Sequence, residues 1–107
     1  LEIAMAPGFV GIDPSTGGGG SPTVWVEDEA LEIIVQSLSA DDALCGKIAG
    51  TEWVPGHALG IPAHESVIRI PERMVPILKE AVERAERARL RRATERRAED
   101  RSSSGDS

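Results

Sequence analysis

Aromatic residues are nearly missing from this chain: Phe9, Trp25 and Trp53 are all it has, and tyrosine is absent. A core made from it must rest on Val, Ile and Leu, with reason to lean on a partner surface. Cysteine occurs once, at Cys45, which excludes an internal disulfide framework and suits a reducing compartment. No run approaches the roughly eighteen apolar residues of a membrane span, and no basic start leads into an apolar leader. A soluble cytoplasmic protein is the expectation, with Met5 a candidate natural start. Basic residues are scarce before position 72, where Lys47 and Arg69 stand against ten acidic residues. Residues 72–107 carry the other ten basic residues and eight acidic ones. The formal charge of -6 thus divides into a strongly acidic body and a slightly basic end. Such asymmetry speaks about partners and solubility, not about fold.

At 107 residues the chain has room for one small domain, predicted over 22–90. Residues 1–21 hold Pro7, Gly8, Gly11, Pro14 and four consecutive glycines, Gly17 to Gly20. They read as a flexible lead-in whose middle can touch the body through Phe9, Val10 and Ile12. Thr23–Glu27, with Val24 and Val26 on one face and Trp25 opposite, and Leu31–Gln36, with Ile33, Ile34 and Val35, predict a hairpin. Its connection, Asp28 to Ala30, lacks the Gly or Asn that tight hairpin turns favour. Ser37–Ala49 predicts a short helix capped by Ser39, with Asp41 and Asp42 in its first turn and Gly50 as its stop. Thr51–Ala63 is broken by Pro55, Gly56, Gly60 and Pro62 into an irregular loop, and Ser66–Ile70 is a third strand candidate.

Beyond Pro71 the apolar positions Met74, Leu78, Ala81, Ala85 and Ala88 follow helical spacing, supported early on by Val75, Ile77 and Val82. Pro76 falls within the first turns, so the regular helix begins near Val75 with Met74 in the turn before it. The stripe thins to alanine, so its second half is expected to be exposed or to await another surface. Residues 91–107 read as a basic helix end and a disordered tail. The predicted fold class is α+β: a three-stranded antiparallel sheet, hairpin plus a third strand, packed against a short helix and a long C-terminal helix.

Few residues offer chemistry. His57, His64 and Cys45, at spacings of 12 and 7, match no compact metal-ligand pattern even with Asp41 and Asp42 added. His64 and Glu65 suit a local charge-assisted contact, with no nucleophile in fixed relation to them. Cys45 lies on the apolar side of its helix with acidic neighbours, the wrong setting for a reactive thiolate. The glycine run lacks the Lys-Ser/Thr of a phosphate loop and leads into Ser21-Pro22. No enzymatic activity, metal or cofactor is expected.

The densest cluster is Arg84, Arg87, Arg89, Arg91, Arg92, Arg96 and Arg97. Glu80–Arg84 and Glu83–Arg87 are favourable i,i+4 pairs, as on a self-stabilised, solvated helix face. Arg89, Arg92 and Arg96 have fewer such partners and could meet an acidic protein patch or nucleic-acid phosphates. The acidic body weighs against nucleic acid, because phosphate binding favours a positive domain. The candidate partner-binding residues are Ala81, Ala85, Arg89, Arg92 and Arg96, with alanine allowing close approach of a helix and arginine orienting an acidic partner.

Three segments carry a family likeness: Gly11-Ile-Asp-Pro with its glycine-rich turn; Pro22-Thr-Val-Trp-Val with Ile33-Ile-Val-Gln36; and Glu65-Ser-Val-Ile-Arg-Ile-Pro-Glu-Arg-Met74. Over residues 11–83 the arrangement resembles small actinobacterial proteins encoded beside helix-turn-helix regulators, and it is more distantly similar to the DUF397 family. Ser21 stands where a cysteine often precedes the Pro-Thr/Ala-Val strand, Met74 replaces a tryptophan typical of the more distant family, and the Thr51–Ala63 loop is longer. The resemblance implies a non-enzymatic interaction module that partners or modulates a helix-turn-helix transcription regulator. Direct nucleic-acid binding through Arg84–Arg97, or self-association through the last helix, are the alternatives.

Overall fold

The computed structural model describes residues 7–15 and 20–105, with side chains up to Arg101. Met5 and most of the glycine run lie outside the described residues. The chain divides into two compact units, one formed by the segments up to Gln36 and from Glu72 onward, the other by Ser37–Pro71.

The first unit holds a three-stranded antiparallel sheet in the order β1-β2-β3: Gly8–Ile12, Thr23–Glu27 and Glu32–Gln36. The hairpin β2–β3 forms as the alternation of β2 suggests, with Val24 paired to Val35 and Val26 to Ile33. The third strand is not the expected Ser66–Ile70. It is β1, drawn from the stretch read as a lead-in. Its glycines obscured the strand pattern, yet one of them is needed there: a Cβ on Gly11 would lie 2.9 Å from Ile77. The register slips between Phe9 and Gly11, so Val10 is the extra residue of a bulge.

The long helix α2, Val75–Gly105, follows a single 3-10 turn at Glu72–Met74 and lies against all three strands. It begins where expected, and it continues through residues read as a disordered tail. Val24, Val26, Met74 and Ala81 form the buried core, with Val10, Val35, Ile77, Leu78 and Ala85 packed around it. Ala88 is buried too. The alanine half of the stripe is therefore not waiting for a surface: the sheet takes that place, because alanine lets backbone approach backbone. Val75 and Val82, expected to reinforce the stripe, point away from it and are exposed.

The hairpin connection, Asp28 to Leu31, shows what the missing glycine costs. Leu31 has φ 57°, a left-handed conformation that a branched L-residue adopts at about 1–2 kcal/mol. At the same end Glu27 faces Glu32 across the ladder, a like-charge pair.

In the second unit, β4 (Leu38–Ser39) pairs with β5 (Ile68–Arg69), and α1 spans Asp42–Ala49. Ser39 does not cap α1, since it is engaged in the ladder. Asp41 does so instead, its carboxylate accepting from the Leu44 N–H at 2.9 Å, and aspartate is among the best N-caps. Gly50 closes α1. The Ser66–Ile70 strand shrinks to two residues because the ladder it joins is only that long.

Core packing generates two graded outcomes. Gly11→Ala overpacks the Ile77 contact and should cost about 1–3 kcal/mol. Met74→Ala should cost about 2–5 kcal/mol and half-buried Leu78→Ala clearly less, measured by denaturant unfolding of the full chain.

Candidate functional site

Two sequence segments separated by 60 positions meet at one buried ion pair. The Asp13 side chain is fully buried, while that of Arg73 is half exposed. The Arg73 Nε–H is shared between the two carboxylate oxygens at 2.7 and 2.8 Å. The Ser15 N–H donates to Oδ1 at 2.9 Å, and the Asp13 N–H donates to the Pro22 carbonyl at 2.9 Å. Asp13 thus ties the end of β1 to the start of β2 and to the turn that launches α2. Gly11-Ile-Asp-Pro and Pro-Glu-Arg-Met, both noted as strings, are the two halves of this contact. Hydrogen bonding from Arg73 holds the Asp13 carboxyl below its ordinary value; burial opposes this, and the Ser15 N–H and the guanidinium charge assist it.

The arginine segment is turned inward more than its composition suggested. Arg84 bonds Glu80 at 2.6 Å and donates to the Phe9 carbonyl at 3.0 Å. Arg89 bonds Glu86, and its hydrogen bonding lowers the pKa of that carboxyl. Arg91 reaches Asp28 at 3.2 Å. Arg92 donates to the Glu29 carbonyl at 3.3 Å, with the Glu29 carboxylate 3.8 Å away. Arg91 and Arg92 therefore brace the acidic, strained hairpin end. Exposed pairs of this kind contribute at most about 1 kcal/mol each, comparable to the strain at Leu31.

Of the residues expected to bind a partner, Ala81 is wholly buried and Ala85 half-buried against the core, so Ala81 offers no surface to another protein. Arg92 is committed to the hairpin turn and Arg89 to its own helix. Arg96 is exposed. They do not converge on one site: Ala81 and Ala85 face the sheet, whereas Arg89 and Arg96 face solvent.

The residues with chemistry also stay apart. His64 Nε2 lies 3.8 Å from Glu65, both well exposed. Cys45 is half-buried with its sulfur 3.8 Å from the Ala40 carbonyl. Among the described residues, no three His, Cys, Asp or Glu side chains gather as a metal site would require, and no helix is long and apolar enough to cross a membrane.

What sequence reasoning passed over lies in the 35-residue unit Ser37–Pro71. None of its residues is fully buried. Leu38, Trp53, Val54, Leu59, Ile68 and Ile70 are all exposed. Trp53 is 67% exposed yet held in place, its Nε1–H donating to the Ile48 carbonyl at 3.0 Å. The loop around it is shaped by Gly56 and Gly60, at φ 88° and 101°, by the His57 N–H bonding Val54 O at 3.1 Å, and by the Gly56 N–H on Glu52. Together with the end of α1 it encloses an open cavity of about 210 Å3, walled by Ile48, Trp53, Val54 and Leu59 among others. Trp53, Val54 and Leu59 line this cavity together, and apolar residues exposed side by side mark interaction sites more often than ones scattered singly. The available signal was a tryptophan inside a Pro/Gly-rich loop, where no core periodicity claims it.

No family model, curated protein or solved structure matches the chain.

The buried carboxylate sets an acid limit on stability. Because the folded pKa of Asp13 lies below the unfolded value of about 3.9, its contribution is complete above that value and disappears as pH falls through the folded pKa. Unfolding of the native chain followed from pH 7 to pH 2 should show a progressive acid loss of stability. Asp13→Asn should lower stability at neutral pH and flatten that acid limb. An unchanged limb in the variant would assign acid unfolding to other carboxylates.

Proposed function

We propose that this chain is a non-enzymatic, cytoplasmic protein-interaction module that engages its partner through the apolar surface around Trp53. The observation that carries the proposal is the absence of any fully buried residue in Ser37–Pro71 alongside six exposed large apolar side chains. A unit of this size without disulfide or metal has little means of stabilising itself. Covering Trp53, Val54 and Leu59 would supply the missing burial. Trp53 is exposed, and tryptophan is among the residue types most enriched at interface hot spots. A helix-turn-helix regulator is the partner class implied by the sequence resemblance. Direct nucleic-acid binding loses ground, since Arg84, Arg89, Arg91 and Arg92 are engaged within the chain.

Co-purification of the full chain from the host proteome tests the proposal. The expected result is recovery of a helix-turn-helix regulator, whose affinity then falls roughly 30-fold with Trp53→Ala, corresponding to about 2 kcal/mol. Leu59→Ser, which removes no hydrogen bond, should also weaken binding and guards against local unfolding in the first variant. Binding unaffected by either variant would rule out this surface. A salt-sensitive DNA shift by the chain alone would favour the nucleic-acid reading instead.

A further inference from the structure

The two edges of the three-stranded sheet are treated differently. The outer edge at β1 is interrupted by a bulge at Val10, and its Phe9 carbonyl receives a hydrogen bond from Arg84. A bulge and a covering cation are two ways in which sheet edges are shielded from further pairing. The edge at β3 has neither. Among the described residues β3 pairs only with β2, in unbroken register over all five residues, Glu32 to Gln36. It contains no proline, glycine or lysine, and its centre is the β-branched run Ile33-Ile34-Val35, the composition that pairs most readily. Ile33 remains 38% exposed although its side of the sheet carries α2.

From this we infer that β3 is a self-pairing edge, and that two copies of the chain join antiparallel through it into one six-stranded sheet. The occupant is a second copy because the strand is complementary to itself. Pairing centred on Ile34 is the one antiparallel register that uses all five residues. Opposed residues share a face, so Ile34 meets its own counterpart, Ile33 meets Val35, and Glu32 meets Gln36. Apolar faces apolar and polar faces polar. No like charges are opposed between the copies, although the intrachain pair Glu27–Glu32 shows that this strand tolerates such opposition. The result is a two-fold symmetric contact of the kind that closes rather than propagates, since the shielded β1 edges end up on the outside. This inference is independent of the Trp53 surface, which lies in the other compact unit.

The mass of the full chain in solution, by sedimentation velocity over a dilution series, should be twice the chain mass and fall to monomer on dilution. Ile34→Lys places two ammonium groups opposite each other at the two-fold axis and should give monomer at every concentration, with an unchanged far-UV circular dichroism spectrum. Should that variant unfold, cysteine cross-linking in a Cys45→Ser background decides the matter. Under mild oxidation Ile34→Cys should yield a covalent dimer, because directly opposed residues lie within disulfide reach, about 4.5–5.5 Å between Cα atoms. Ile33→Cys should not, because its counterpart is offset by two positions, beyond the roughly 7 Å limit. A monomeric wild-type chain, or a dimer that cross-links no better through position 34 than through position 33, would overturn the inference.

Discussion

Helix α2 lies against the sheet through a stripe that passes from large side chains at its start, Met74, Ile77 and Leu78, to small ones beyond. Ala81 and Ala88 are buried, Ala85 is half-buried, and Gly11 receives Ile77 with no room for a Cβ. With so few aromatics, the core rests on aliphatic side chains at one end of the helix and on close approach at the other. Val24, Val26 and Met74 are at its centre. The other features of this unit follow from that approach. The bulge in β1 carries Val10 into the packing, and the buried Asp13–Arg73 pair holds the strand loop to the start of the helix where the chain must turn.

Charge in this chain serves that architecture first. Acidic residues collect at the hairpin end, where Glu27 faces Glu32 and Leu31 is held at positive φ. Unsupported, such a turn would open easily, since strain persists only where its surroundings hold it. Arg91 and Arg92 arrive from α2 within reach of Asp28 and Glu29. The contrast between acidic body and basic end, so visible in composition, is thus partly an internal complementarity. It remains a weak force at each exposed pair, and it orients more than it stabilises.

The two compact units are held together differently. One has a small buried core. The other is organised by local hydrogen bonds, among them the Asp41 cap, the Trp53 indole on Ile48 and the Thr51 hydroxyl on Lys47 at 2.8 Å. Local bonds fix shape without burying apolar surface, which leaves that surface available.

The sequence by itself determined the hairpin, both helices, the first residue of the long helix and the α+β class. In each case the signal was local: alternation in Thr23–Glu27, spacing of 4 and 3 from Met74, a proline near the helix start. It also placed Val24 and Val26 on one face of β2, and the structure makes that the buried face. Only the tertiary structure decided which segment became the third strand. Strand pairing is a contact between distant positions, and of the glycines that made Gly8–Ile12 look like a lead-in, Gly11 is crowded by Ile77 of a helix more than sixty residues away. The same holds for the Asp13–Arg73 pair, since no spacing rule links residues so far apart. The alanine stripe was expected to await another molecule, whereas Ala81 and Ala85 pack against this chain's own core, because periodicity shows that a face will be covered and not by what. Arginine density pointed outward for a similar reason: a charge count has no geometry until the hairpin turn comes to lie beside it.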